Sequence, residues 1–365
     1  MPKRPCAVLV TPDNKTILCG DKFGDVYSLP LFPSATTEQP EESTKVEMKE
    51  DGEQKKYVPA ATTLTVHSGR NRRALENQMK QKDLQAKVKD GPKFEHQLLL
   101  GHVSMLTDVQ FASEMVDGRS RGYIITTDRD EHIRVSRGPP QAHVIERFCL
   151  GHKEFISKIC LLPNTDLLVS GGGDDWLGVW DWKAGELKDK RDLRSALTSL
   201  FSSQPSTFRA ENSIAVSGLW AVSMDAEAEN NAILVACENL PCLLISQSPL
   251  SSRAPKVVGV NLPGVPLDIT VVGNIVVVSM DVAEASTPRL QAYSISTNEL
   301  ETKLEPAESF NVKLHDANQL MHPAPEREQL DDLLFGIGNL RKRGAPEEAQ
   351  DDAPDQAKDG AINED

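Results

Sequence analysis

Two stretches of this 365-residue sequence repeat the same order of residues, and this repeat constrains the fold more than any other feature. Leu100–Leu106 and Leu150–Ile156 each begin with Leu-Gly-His. Each stretch is followed by a run of β-branched and apolar residues, a tight acidic turn and a second such run. In the second copy the last run ends in Trp180 and Asp181. Short strands that recur with turn residues between them predict an all-β chain built from repeated units.

The spacing from Gly-His to Trp-Asp is typical of one blade of a WD40 β-propeller. The first copy has Ser136 where the second has Trp180. Four acids stand six residues before this position or its equivalent, and they are Asp21, Asp130, Asp174 and Glu238. This register predicts about five blades, near residues 4–31, 98–137, 146–183, 213–246 and 262–296.

Composition divides the chain into four parts. Residues 1–31 form the first visible blade, 32–97 an insert, 98–322 the remaining blades, and 323–365 a C-terminal segment with an acidic tail. The front half of the insert and the tail contain too few apolar residues to offset the entropy of ordering, which predicts disorder. The basic back half of the insert, near 70–89, has apolar residues at helical spacing. It is open to several interpretations, namely an RNA-backbone contact, a merely solvated insert or a localisation signal.

No catalytic, cofactor or metal pattern accompanies the repeats. Gly171–Gly173 lacks the Lys and Ser/Thr of a phosphate-binding loop, and no glycine-rich turn stands between a strand and a helix as S-adenosylmethionine would require. The six cysteines have no Cys-x-x-Cys pair, which fits a reducing compartment and not a zinc site. No run approaches the ~20 apolar residues of a membrane span. We therefore expect neither an enzyme nor a bound cofactor, metal or membrane.

Seven residues are instead expected to form structural hydrogen bonds inside the blades. In a WD blade the histidine after Gly bonds to a Ser or Thr, an Asp and, through the hydroxyl, a Trp, and each bond contributes about 1 kcal/mol. These residues are His102, Thr126 and Asp130 in the first copy, and His152, Ser170, Asp174 and Trp180 in the second.

Basic residues around the two copies are candidates for a partner-binding surface, because propellers usually bind through their rims and faces. The segment Asp128–Arg134 is more highly charged than a blade turn requires, although a solvated edge explains it equally well. The candidate interface residues are Lys183, Lys158, Arg134, Lys153 and Arg129.

Several sequence strings together resemble one family. They are Lys3–Cys6, Asp21–Tyr27, Gly101–Leu106, Asp128–Ser136, Phe148–Phe155 and Gly172–Asp175. The sequence resembles the WD-repeat non-catalytic subunit of the eukaryotic, fungal-like tRNA (guanine-N7-)-methyltransferase over about 1–31 and 95–300.

The resemblance implies a nuclear heterodimer in which a separate subunit binds S-adenosylmethionine and methylates N7 of a guanosine in the tRNA variable loop. The chain would stabilise and orient that catalytic subunit and would meet tRNA through the complex. A basic residue after the Trp-Asp of the central blade, similar to Lys183, would pair with an acid on the catalytic subunit.

Members of this family are similar to seven-bladed propellers, in which the string around Lys3–Cys6 follows roughly two further blades. With five blades visible, we expect an open ring that lacks N-terminal blades and has an unpaired edge. A generic nuclear WD-repeat scaffold, such as a substrate receptor of a ubiquitin ligase, is the alternative function that the fold alone permits.

Overall fold

The computed structural model describes residues 4–32, 94–224, 231–248, 257–284, 286–297, 302–319 and 336–342. In this part of the chain, four consecutive strands at a time form five antiparallel sheets. The first contains β1 (Pro5–Val10), β2 (Thr16–Asp21), β3 (Asp25–Pro30) and β4 (Gln97–Gly101). The second contains β5 (Leu106–Val116), β6 (Arg119–Asp128), β7 (Ile133–Arg137) and β8 (Ile145–Cys149). The third contains β9 (Ile156–Leu161), β10 (Leu167–Gly172), β11 (Trp176–Asp181) and β12 (Glu186–Asp192).

The fourth sheet contains β13 (Val216–Ser223), β14 (Asn231–Cys237), β15 (Cys242–Ser248) and β16 (Val257–Asn261). The fifth contains β17 (Val265–Val272), β18 (Ile275–Asp281), β19 (Leu290–Thr297) and β20 (Thr302–Pro306). Two helices, α1 (Arg194–Leu200) and α2 (Glu308–Gln319), and a 3-10 turn (Ile337–Leu340) complete the described elements. Within these ranges no helix has the length and apolarity needed to cross a membrane.

The sheets pack face to face, and the core lies between them. The first strands of successive sheets contact one another in the order β1, β5, β9, β13, β17. All seven residues of β14 are buried because neighbouring sheets cover both faces of the fourth sheet. In β18 the buried positions alternate with half-buried ones, as expected of a strand with one covered face.

The first and fifth sheets form the two ends of this row. Among the described strands, β17 and β1 do not share the extensive contact that links the other neighbouring first strands. Val8 and Val10 of β1 are 63% and 41% exposed on the face that points away from the second sheet. Exposed apolar side chains therefore lie on the outer face of β1, whereas Cys19 and Tyr27, on the same face of β2 and β3, are buried.

The architecture confirms the predicted all-β repeat and is consistent with a β-propeller. The predicted blade boundaries differ from the sheets by one strand, because β4, with the Gly of the first Gly-His, pairs with β3 of the preceding sheet. Each Gly-His thus joins the outer strand of one sheet to the first strand of the next. The predicted disordered segment, basic helix and acidic tail lie outside the described residues.

Candidate functional site

A chain of hydrogen bonds links the Gly-His and Trp-Asp positions of the third sheet. Trp180 Nε1 donates to Ser170 Oγ at 2.7 Å, and Ser170 Oγ lies 2.7 Å from His152 Nε2. His152 Nδ1 lies 2.8 Å from Asp174 Oδ2, which also accepts the backbone N–H of Lys153 and Glu154 at 3.2 Å. A neutral His152 with its proton on Nδ1 satisfies every one of these bonds. The geometry confirms the four structural residues predicted for this copy.

This network leaves His152 no access to a substrate. Its side chain is 0% exposed and stacks on Trp176, with ring centroids 4.5 Å apart and planes 5° apart. Burial by itself would raise the pKa of Asp174, but the hydrogen bonds from His152 and the two amides outweigh it and hold that pKa below its usual value. Asp174 therefore stays ionised as a structural acceptor.

The second sheet holds a shorter network, and here one prediction is wrong. His102 Nε2 lies 2.8 Å from Thr126 Oγ1, as predicted, but its Nδ1 lies 3.3 Å from Asp128 and not from Asp130. Asp128 is the last residue of β6, and its carboxylate accepts the backbone N–H of Asp130 at 2.9 Å. The same carboxylate therefore caps the turn and bonds to His102. At the matching position of the third sheet stands Gly172, which has no carboxylate, so the acid there must come two residues later.

The candidate interface cations do not form one surface. Because the strands alternate in direction, the loop before β9 and the β6–β7, β10–β11 and β14–β15 turns share one end of the sheets, which we name the Gly-His end. The β5–β6, β9–β10 and β11–β12 turns share the opposite end, the hairpin end. Lys183 lies at the hairpin end, whereas Arg129 and Lys153 lie at the Gly-His end.

Lys183 is half-buried in an ion-pair cluster that joins two sheets. Its Nζ lies 2.9 Å from Glu114 of β5 and 2.9 Å from Asp166 of the β9–β10 turn. The hydrogen bonds to Glu114 and Asp166 raise the pKa of Lys183, which keeps it protonated. The ammonium also lies 5.7 Å from the centre of the Trp182 ring.

Two of the other cations, Arg134 and Lys158, are largely shielded from solvent. Arg134 is only 8% exposed, and its Nη1 donates to the carbonyl oxygen of Gly101 at 3.0 Å. The prediction that Arg134 belongs to an exposed binding surface is therefore wrong, because a turn residue by sequence lies inside β7 in the fold. Lys158 is half-buried on β9, the first strand of its sheet, where its charge acts on the half-buried Asp108. Lys153 is exposed at the Gly-His end.

Sequence reasoning missed a long hairpin beside Lys183. β5 and β6 have 11 and 10 residues, longer than the strands of the other sheets, and project at the hairpin end. Its tip, Asp117-Gly118, has φ angles of 50° and 73°, the two positive values of a type I′ turn. Met115 near the tip is 68% exposed. The Asp117-Gly118 pair, a residue pair typical of two-residue hairpin turns, is the signal that would have predicted this hairpin.

Sequence reasoning also missed a contact at the Gly-His end. Arg129 Nε donates to the carbonyl oxygen of Leu340 at 2.7 Å, so this candidate interface cation binds a later segment of its own chain. Arg341 of that segment was not among the predicted residues, yet it bonds to three groups of the body.

The cysteines and acids of the described ranges do not gather into a group of three or more side chains able to hold a metal ion. All six cysteines are free thiols. Burial raises the pKa of Cys149 to about 11 and that of Cys242 to about 12, so both behave as apolar core residues.

Comparison with known proteins agrees with this arrangement. The model of the tRNA methyltransferase TRM82 WD40 domain matches residues 1–302. The tRNA (guanine-N(7)-)-methyltransferase non-catalytic subunit TRM82 of Phaeosphaeria nodorum is 49% identical over 278 residues, which cover 74% of this chain and 56% of that protein. The subunits of the same name from Sclerotinia sclerotiorum and Coccidioides immitis are each 40% identical over 94% of this chain, and the matches cover 68% and 70% of their lengths.

The match to Phaeosphaeria nodorum thus spans little more than half of that relative's length, and the other two span about two thirds. The family model covers most of this chain. The matched residues include the sheets on which the two Gly-His networks lie. The chain therefore belongs to the family of the TRM82 WD40 domain.

Proposed function

We propose that this chain is the non-catalytic subunit of a tRNA (guanine-N7-)-methyltransferase, and that it stabilises and orients a separate catalytic subunit for N7-methylguanosine formation in the tRNA variable loop. The observation that carries the proposal is the 40% identity, along 94% of the chain, to relatives that bear this name. The burial of His102 and His152 in structural networks supports it, because neither imidazole is accessible to a substrate. The proposal includes a nuclear heterodimer that meets tRNA through the complex.

The hairpin end near Lys183 is the surface that we propose for the catalytic subunit. Lys183 is charged and 29% exposed, and the projecting hairpin beside it offers Met115 together with the exposed Arg119 and Arg121. Met115 pairs across the hairpin with Ser120, which lies between the two arginines. An exposed apolar side chain beside cations fits a partner surface that combines an apolar centre with acidic groups. Lys153 and Arg129, at the other end of the sheets, do not belong to this surface.

The function is tested by co-expressing the chain with the candidate catalytic subunit of the same organism. N7 methylation of tRNA is then measured for each protein alone and for both together. We expect activity only when both are present, and co-purification at equal stoichiometry. Full activity of the catalytic subunit alone, or no complex, would contradict the proposal. A fluorescent fusion observed by microscopy tests the nuclear localisation.

The interface is tested by charge reversal of Lys183 with Lys188 as a matched control. Both lysines lie in the third sheet, have side chains about a third exposed (29% and 35%) and pair with two acids. We expect Lys183→Glu to weaken the complex at least about tenfold, as truncating a charge pair at an interface does, and Lys188→Glu to leave it unchanged. Lys183→Met removes the charge without adding repulsion toward Glu114 and should weaken the complex in the same direction. Equal effects of the Lys183 and Lys188 variants would remove Lys183 from the interface.

A further inference from the structure

A short C-terminal segment lies across the Gly-His end of three consecutive sheets. This segment, Gly336–Lys342, is named here the strap. It pairs with no strand and contains a single 3-10 turn. The groups that hold it come from the loops and turns at the Gly-His end of the second, third and fourth sheets. We name this set of groups the strap site.

The strap is anchored first by one apolar side chain. Leu340 is 7% exposed and packs in a hollow formed by Phe155 and Ala215, with Met105 and Ile337 at its edge. No other residue of the strap is fully buried. One leucine in a hollow is the kind of anchor by which a linear peptide docks on a folded surface.

The main chain of the strap is held at two points. The carboxylate of Glu238 accepts the backbone N–H of Ile337 at 2.6 Å and that of Gly338 at 2.7 Å. Arg129 donates to the carbonyl oxygen of Leu340 at 2.7 Å. These bonds fix the direction and register of the segment without depending on its side chains.

The arginine of the strap occupies a slot built for a guanidinium. Arg341 Nη2 donates to the carbonyl oxygens of Gly173 at 3.0 Å and Ile214 at 3.1 Å, and Nη1 lies 2.9 Å from Glu154 Oε2. Its guanidinium carbon lies 5.6 Å from the centre of the Phe155 ring. The N–H groups of the planar guanidinium point in different directions and reach three acceptors at once. The ammonium of lysine does not reproduce that geometry.

The charge of the strap site selects a basic ligand. Lys342 Nζ lies 2.9 Å from Glu131 and 3.2 Å from Asp130, on the turn between β6 and β7. Together with Glu154 and Glu238, four carboxylates of the described residues contact the strap, and Arg129 is the cation among the described side chains that bonds to it. Charge complementarity of this kind favours peptides in which leucine precedes two basic residues.

We propose that the strap site is a binding site for short basic peptides of partner proteins that present a Leu-Arg-Lys sequence, and that the strap is its resident intramolecular ligand. A partner segment binds when it displaces the strap, which competes at the high effective concentration of a tethered ligand. The site is at the opposite end of the sheets from Lys183, and the proposal does not rest on the proposed function.

The test uses the full chain and a fluorescein-labelled peptide with the strap sequence Gly-Ile-Gly-Asn-Leu-Arg-Lys. An open variant carries Leu340→Ser and Arg341→Ala, and a blocked variant adds Glu154→Gln to these two changes. Binding is followed by fluorescence anisotropy, and the same peptide with lysine in place of its arginine is the control ligand. Circular dichroism and the melting temperature report the fold of each variant.

We expect the peptide to bind the open variant at least about tenfold more tightly than the unchanged chain, because the tethered competitor is weakened. Binding to the blocked variant, and binding of the lysine peptide to the open variant, should each be at least about tenfold weaker, the effect of losing a charged hydrogen bond. A folded open variant that binds neither peptide, or binds both equally, overturns the proposal. An open variant that no longer folds shows that the strap is an integral part of the fold and overturns it as well.

Discussion

Replacement of Ser170 by alanine removes the hydroxyl that two buried groups share. Ser170 Oγ accepts the N–H of Trp180 at 2.7 Å and bonds to His152 Nε2 at 2.7 Å. All three side chains are at or near zero exposure, so water does not replace the lost partner. Ser170→Ala therefore leaves the indole N–H and the imidazole nitrogen buried without a hydrogen bond.

The cost follows from the number of groups left unpaired. A buried polar group that loses its partner costs about 1–3 kcal/mol, so two such groups lower the free energy of unfolding by about 2–6 kcal/mol. For a domain of 150–250 residues, 1 kcal/mol changes the melting temperature by about 2–4 °C. We therefore expect the melting temperature of the Ser170→Ala variant to fall by about 4–24 °C.

Ser136→Ala is the matched control. Ser136 occupies in the second sheet the position that Trp180 occupies in the third, so the second sheet has no indole to bond at that position. Ser136 is also 0% exposed, but its Oγ has no hydrogen-bond partner among the described residues. Removing an unpaired hydroxyl should leave stability unchanged or raise it. Thermal unfolding followed by tryptophan fluorescence compares the two variants. If Ser170→Ala and Ser136→Ala have the same melting temperature, the hydrogen-bond chain does not stabilise the fold and the reasoning is refuted.

Three further predictions concern ionisable and reactive groups. The pKa of Asp174 is lowered in the folded state, so its contribution to stability is present above the unfolded value of about 4 and is lost as pH falls through the folded value. Urea unfolding at pH 3–6 should show that Asp174→Asn removes this loss, and an unchanged pH dependence in that variant would contradict the role of Asp174. Burial raises the pKa of Cys149 and Cys242 to about 11 and 12, so a thiol reagent at pH 8 should label them only at the rate of unfolding, and prompt labelling in the folded state would contradict their burial. Arg191 is 1% exposed and pairs with the partly exposed Asp189 at 2.9 Å, but its Nη1 finds no partner among the described residues. Because the burial of the guanidinium opposes the gain from this pair, Arg191→Met should keep or raise the melting temperature, and a clear fall would show that the pair stabilises the fold.

Short-range patterns in the sequence were sufficient to predict the blade and its internal hydrogen bonds. The residues His152, Ser170, Asp174 and Trp180 lie within one repeat, and neighbouring antiparallel strands bring them together once the turns form. Their residue types fit only that arrangement, because a buried imidazole, hydroxyl, carboxylate and indole need one another as partners. The family was predicted from sequence strings that include these repeats, and the match to the family model confirms it.

The same reasoning failed where one atom had to be chosen among near neighbours. Asp128 and Asp130 are both plausible acids for His102, and the choice depends on which carboxylate also caps the β6–β7 turn. Arg134 reads as a charged turn residue, but the end of that turn falls at Ile133 and the arginine enters the strand.

What the tertiary structure alone decided is how groups far apart in sequence meet. Lys183 forms an ion pair with Glu114 of a neighbouring sheet, and Arg129 donates a hydrogen bond to the carbonyl oxygen of Leu340, 211 residues away. Periodicity and spacing describe how a segment contacts its own strands, whereas these contacts depend on how whole sheets stack and which of their ends coincide. The sequence by itself therefore determined the repeated strands and the hydrogen-bond chain of the third sheet, because those contacts are local. The packing of the sheets decided which strands belong to one sheet and which charged residues face solvent, one another or the strap.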